Sequence, residues 1–333
     1  MDFKKLLFIF LLLPLFTFSQ GKFSGYMFGD YYYFVMDHKK ELEDQNGFWF
    51  RRIYFTYDYK ISEKFFTRFR LELNSPGDFK TKDNLKPYLK DAYLGINIGK
   101  GKGYFGISPT PTWEFLENFW EYRSVEKTPA DLYKHDSSRD FGIAFKGPIS
   151  SHLSYHFMIA NGEGTASEVN KDKKARFSIL FKKEAVHLEI YTDYGEGENH
   201  TNSYMYQGIF GIKNEKLTLG FQYYRYTKQQ GEGHPSLEND VFSAFFNYNF
   251  SQKITLLFRV DKSQDPNPSI ENQSYIPFDK DHPFFFYLFG LDFKVLKDIS
   301  IIPNFEYVNY EKYNGTKPDS DLIFKITFYY TFN

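Results

Sequence analysis

In strand after strand this chain sets an apolar face against a charged one, and that pairing leaves few folds open to it. Ile53, Phe55, Tyr57 and Tyr59 fall on one parity, Arg52, Tyr54, Thr56 and Asp58 on the other. Phe69, Leu71 and Leu73 oppose Arg68, Arg70, Glu72 and Asn74, and Val186, Leu188 and Ile190 oppose His187, Glu189 and Asp193. Period two is the signature of a strand with unlike faces. Either the apolar face turns inward, as in a soluble sandwich, or it turns outward to lipid and the charged face lines a wet interior. Arg or Lys facing lipid at mid-bilayer costs about 2–4 kcal/mol, so in the second case the charges must point in.

The spacing of these segments favours the second case. Sixteen strands are expected, near 23–35, 47–60, 65–75, 88–98, 103–109, 139–147, 152–161, 174–182, 185–194, 204–213, 217–227, 240–250, 253–262, 284–295, 299–310 and 320–332. Most reach the roughly 9–11 residues that a tilted strand needs to cross a bilayer. Seven connections are short, such as "KISEK", "KNEK" and "FSQK", and eight are long, and the two kinds interleave. That rhythm fits an even-stranded barrel with tight turns at one end and loops at the other. The final stretch, "DLIFKITFYYTFN", reads as the closing strand. An open sheet edge in hydrocarbon leaves backbone groups unpaired at several kcal/mol each, so the last strand is expected to pair with the first. Its terminal aromatic pattern also resembles the signal read by the barrel-assembly machinery, with Phe332 penultimate rather than last.

Composition agrees. Forty Phe, 28 Tyr and 3 Trp make 21% of the chain aromatic, although its mean hydropathy of −0.52 is that of a soluble protein. Lipid-facing girdles account for such rings better than a soluble core does. With no cysteine, disulfides, thiolate metal sites and cysteine nucleophiles are excluded. A net charge of −1 gives no nucleic-acid footprint. Residues 1–20 read as a secretory signal peptide: Lys4 and Lys5, an apolar run from Leu6 to Phe18 broken by Pro14, then Ser19–Gln20. No later stretch approaches a membrane-spanning helix. The expectation is all-β: a transmembrane antiparallel barrel over 21–333.

Four stretches resemble the phosphate-selective porin O/P family: "FWFRRIYFTYDYKISEKFFTRFRLE", "LKDAYLGINIG", "GISPTPTWEFLENFW" and "SSRDFGIAFKG". The similarity is strongest over 23–165. It implies a 16-stranded, trimeric outer-membrane porin passing small hydrophilic solutes or ions, with lipid and lipopolysaccharide around it and no cofactor. By position, it also implies that the third long loop, 110–138, folds into the barrel and narrows it. That loop carries Trp113, Phe115, Phe119, Trp120, Tyr122 and Tyr133, which exposed would form an apolar patch. Its candidate constriction residues are Glu114, Glu117, Glu121, Arg123, Glu126, Lys127 and Asp131. Opposite them the sequence places a basic wall. Arg52, Arg68 and Arg70 share the inward parity on neighbouring strands. Arg51 has the outward parity and must occupy a rim or a bulge. Basic wall against acidic loop would set a transverse field across the constriction. Alternatively, these arginines pair with Asp58, Glu72 and Asp91 and stiffen the wall.

Weaker motifs were weighed. "GKGKG" at 99–103 lacks a following helix and reads as a turn, not a phosphate cradle. The eight histidines show no metal spacing, and Asp261, Asp265, Asn267 and Asp279 read as solvated loop rather than a Ca²⁺ site. Ser154 beside His152 and His156 lacks a nucleophile elbow, so no enzyme is expected. No plug domain fits ahead of the first strand.

Overall fold

The computed structural model describes residues 21–332, apart from 76, 78, 81, 83, 112 and 271–274. The expected signal peptide 1–20 lies outside the described residues. The strands are β1 (Gly21–Met36), β2 (Asn46–Lys60), β3 (Phe65–Asn74), β4 (Lys86–Ile98), β5 (Gly101–Pro109), β6 (Arg139–Pro148), β7 (Leu153–Ala160), β8 (Lys174–Lys183), β9 (Val186–Gly195), β10 (Ser203–Lys213), β11 (Leu217–Lys228), β12 (Leu237–Asn249), β13 (Ile254–Ser263), β14 (Phe284–Leu296), β15 (Ile299–Tyr310) and β16 (Asp321–Phe332). Each pairs antiparallel with its sequence neighbours, and β16 pairs with β1, from Gly25↔Phe332 to Met36↔Leu322. The result is a closed barrel, which removes every sheet edge. The sixteen strands fall where the alternation puts them, and the closing pair forms as the C-terminal pattern requires.

Outward-facing rings such as Phe55, Phe69, Phe105, Phe210 and Phe305 remain exposed, as a lipid-facing band must. The inward face departs from simple alternation at two bulges. Phe28 pairs with Arg52 but Gly29 with Phe50, so Arg51 is the extra residue in β2. Arg70 pairs with Asp91 but Leu71 with Leu89, so Lys90 is the extra residue in β4. A bulge puts two consecutive side chains on one face. Here both bulges turn charged pairs, Arg51–Arg52 and Lys90–Asp91, into the interior.

The interior has a second feature that the sequence reading did not anticipate. The inner faces of β10 to β16 are mixed: Met205, Ile209, Val241, Leu257, Phe286, Leu288 and Ile302 are fully buried among polar groups that include Gln207, Asn247, Asn304 and the ion pairs Arg259–Asp261 and Lys325–Glu306. The apolar residues join one hydrophobic cluster with the 110–138 loop and with Ile270, Tyr275, Ile276 and Phe278 of the seventh long loop. β14 is apolar on both faces, with Phe284, Phe286 and Leu288 inward and Phe285, Tyr287 and Phe289 outward. This side of the lumen is therefore closely packed against the loop, apart from a cavity of about 230 Å³ lined by Thr218, Asn247, Thr255, Asp292 and Ser300 toward the short-turn end.

Candidate functional site: the lumen and its inward loop

Within 110–138 the chain forms helices α1 (Trp113–Trp120) and α2 (Pro129–Leu132). The sequence reading had only a loop here. The α1 signal was present, because Trp113, Leu116, Phe119 and Trp120 recur at helical spacing and are the buried face. Eight residues are too few to hold a helix without tertiary packing. That packing comes from the barrel wall.

The loop's contacts circle the barrel, which is possible only from inside it. Phe119 lies against the β10 backbone at Gly211, where a Cβ would sit 2.2 Å from the ring. It also packs on His187 of β9 and Phe245 of β12. Asn247 of β12 donates to the Trp120 carbonyl at 2.9 Å, and Tyr122 donates to Asp292 of β14 at 3.1 Å. Arg51 of β2 donates to the Val125 carbonyl at 2.7 Å and to the Ser124 carbonyl. Arg259 of β13 donates to the Lys127 carbonyl. Tyr133 donates to Asp261 at 2.7 Å, and Asp136 accepts from Arg176 of β8 at 2.8 Å. Buried carbonyls need such donors, since an unpaired one costs about 1–3 kcal/mol.

The candidate residues divide by environment. Glu114 pairs with Lys146, and Glu121 with Lys213 at 2.8 Å. Arg123 holds Glu117 at 3.7 Å and Asp131 at 3.5 Å. Glu126 is fully buried beneath the loop, its Oε1 accepting from the Lys127 amide at 2.7 Å. The Lys127 ammonium lies over the Tyr275 ring. On the wall, Arg52 pairs with Glu72 and donates to the Tyr275 hydroxyl at 3.1 Å. Arg70 reaches Asp91 at 3.3 Å and Thr56 at 2.9 Å. Arg68 makes a two-pronged pair with Asp58, at 2.6 and 2.9 Å. Asp58, Glu72 and Asp91 are thus the partners of the wall arginines. Neither wall nor loop presents bare charge of one sign, because charge taken out of bulk water is tolerated only when paired.

The wall still carries a surplus. Glu72 is shared by Arg52 and by Lys90 at 3.4 Å, and Asp91 by Arg70 and Arg139. Four cations thus share two carboxylates. Between this wall and the loop the side chains stay partly solvated: Arg70 is 15% exposed, Arg123 15%, Asp131 18% and Glu117 23%. Arg70 lies over the Tyr54 ring.

Two cavities of about 510 and 460 Å³ open below α1 toward the short-turn end, sharing Lys102, Glu114 and Lys146. The second is lined by Lys22, Lys60, Arg68, Lys102 and Lys146 against only Asp58 and Glu114. His156 and His187 both face inward, but His187 packs against the Phe115 and Phe119 rings. Asp261 is not solvated loop. It is buried against Arg259 and Tyr133, while Asn267 caps the Tyr133 carbonyl and Asp279 lies with His282.

No family model and no curated relative matches the sequence. Solved structures do match. The anion-selective porin from Comamonas acidovorans superposes with a TM-score of 0.70 at 10% identity, over 94% of this chain and 99% of that one. The outer membrane channel DcaP of Acinetobacter baumannii gives 0.64 at 11% identity, over 95% and 99%. The trimer form of OmpT, an outer membrane protein of Vibrio cholerae, gives 0.64 at 13%, over 94% and 99%. By fold the chain is a bacterial outer-membrane β-barrel of the porin type. Identities this low carry the fold and not the selectivity.

Proposed function

We propose that the protein is an outer-membrane porin, a passive and narrow channel for small hydrophilic solutes and ions. The observation that carries this is that the β2–β4 wall and loop 110–138 hold partly solvated charges, Arg70, Arg123, Asp131 and Glu117, inside a closed barrel; the passage is read as running between them. The loop acts as the constriction: it is pinned from β2, β12, β13 and β14. Three copies are proposed to assemble, on the resemblance to porin families and on the trimeric form of one structural neighbour. Residues 1–20 are proposed to be removed on export.

A modest preference for anions is the second reading. Its support is the two cavities' cationic lining and the four cations that share Glu72 and Asp91. Closed arginine pairs do not favour a tight phosphate site, however, since a bound phosphate would have to displace Asp58, Glu72 or Asp91.

Planar-bilayer recording across a KCl gradient tests both readings. Small stepwise conductances are expected, with a reversal potential displaced toward that of chloride and little block by millimolar phosphate. Folded, heat-modifiable protein that passes no current would overturn the channel reading. A reversal potential on the potassium side would overturn the anion preference alone.

A further inference from the structure

At the long-loop end, where β1 closes on β16, lies a side-chain cluster that the channel function does not use. Asp37, His38 and Asp321 bring one ligand atom each to within 4.8 Å of one another. Asp37 and His38 side chains are 1% and 4% exposed. Asp37 is oriented by its own turn, because its Oδ2 accepts from the Glu41 and Leu42 amides at 2.8 and 2.9 Å. That leaves Oδ1 buried, with no hydrogen-bond partner in the protein, 3.8 Å from His38 Nδ1. His38 Nδ1 lies 2.9 Å from Asp321 Oδ1. The Asp321 carboxylate is itself held by the His38 amide at 2.7 Å and by the Tyr310 hydroxyl.

We propose that Asp37 Oδ1, His38 Nδ1 and an Asp321 oxygen bind a first-row divalent cation of the Zn²⁺ type. Bonds of roughly 2.1 Å in tetrahedral array put ligand atoms about 3.4 Å apart. The observed separations of 2.9 and 3.8 Å bracket that value. One imidazole with two carboxylates suits a borderline cation, and the absence of cysteine excludes a thiolate site.

The other imidazole nitrogen strengthens the assignment. His38 Nε2 is also buried without a hydrogen-bond partner and points at Asp279 Oδ2, 3.9 Å away. A metal on Nδ1 displaces the proton that Nδ1 would donate to Asp321, and the ring proton then resides on Nε2, facing Asp279. Metal-bound histidines generally donate their second ring N–H to a carboxylate in this way. Asp279 is set in place by His282 Nδ1 at 2.8 Å, and His282 Nε2 meets Thr316 Oγ1 at 2.9 Å. The cation would thereby clasp the first, seventh and eighth long loops over the barrel seam.

Titration of the folded, chelator-treated protein in detergent with Zn²⁺, followed by calorimetry, tests this. One saturable equivalent is expected. Asp37→Asn keeps the acceptor for the Glu41 and Leu42 amides but loses the charge, and His38→Gln loses the imidazole. Each should weaken binding at least about tenfold, and Asp279→Asn by about 10–100-fold. Heat-modifiable migration on gels establishes that each variant is folded. X-ray absorption at the zinc edge of the wild type needs no variant and should show one imidazole in an otherwise oxygen shell. No stoichiometric binding, binding unchanged in His38→Gln, or a shell with two or more imidazoles would overturn the site.

Discussion

Arg51 attaches the loop to β2. Its guanidinium is fully buried, with Nε 2.6 Å from Asp30 Oδ2, while Nη1 and Nη2 serve the Val125 and Ser124 carbonyls. A planar fork can meet a carboxylate and two carbonyls at once, and a lysine cannot. Arg51→Ala should cost about 3–5 kcal/mol in urea unfolding, because it leaves Asp30 buried and unpaired. It should also raise single-channel noise as the loop loosens. The sequence showed that Arg51 had the wrong parity for the lumen and so required a rim or a bulge, and the structure resolves this as a bulge. The Lys90 bulge could not be read the same way, since alternating parity alone gives no sign of which residue is extra. Gly211 was equally silent. Its lack of a side chain is explained only by Phe119 arriving from 92 positions away. Gly211→Leu should push α1 off the wall and increase conductance in bilayer recordings, while an unchanged conductance would show that α1 does not set the pore.

At the scale of elements, the strands were legible because their period is local and lipid punishes errors in it. Helices α1 and α2 were not, because their stability is borrowed from the wall. The same contrast gives a test of where the loop lies. All three tryptophans point into the lumen: Trp113 and Trp120 are buried in the loop core, and Trp49 donates to Asp30 at 3.0 Å. Tryptophan fluorescence in liposomes should therefore resist quenching by brominated acyl chains and by acrylamide alike. Strong acrylamide quenching would place the loop outside the barrel, and strong bromolipid quenching would place it against lipid. Deleting the loop should not simply yield a wider pore. It would strip cover from Met205, Val241, Leu257 and Phe286, each worth about 1.5–3 kcal/mol of burial. The expected outcome is a sharp drop in the yield of heat-modifiable barrel.

The whole molecule is asymmetric about its axis. The side along β10–β16 packs most of the apolar core against the loop and keeps its ion pairs buried and one smaller cavity, while the side along β2–β8 carries partly solvated ion pairs and the two larger cavities. The ionic side was readable from the arginines of β2 and β3. The apolar side was not, because a strand that is apolar on both faces, such as β14, gives no parity to assign. Net selectivity should follow the wall's surplus. Neutralising Lys90 or Arg70 to glutamine should move the reversal potential toward potassium, more at low salt than at high salt, where screening shortens to about 3 Å near 1 M. Because wall and loop charges are paired, the field between them should be milder than a basic wall facing an acidic loop would give.

An off-centre passage is the claim on which the account rests, and the cysteine-free chain allows it to be tested by single-cysteine labelling. The measurement is the change in single-channel current when a charged methanethiosulfonate reagent is added to Arg70→Cys and, separately, to Met205→Cys. Arg70 borders the passage and Met205 is sealed in the packed side. The account predicts a clear, irreversible current step for Arg70→Cys and none for Met205→Cys. A step at Met205→Cys with none at Arg70→Cys would put the conducting path through the packed side and contradict it.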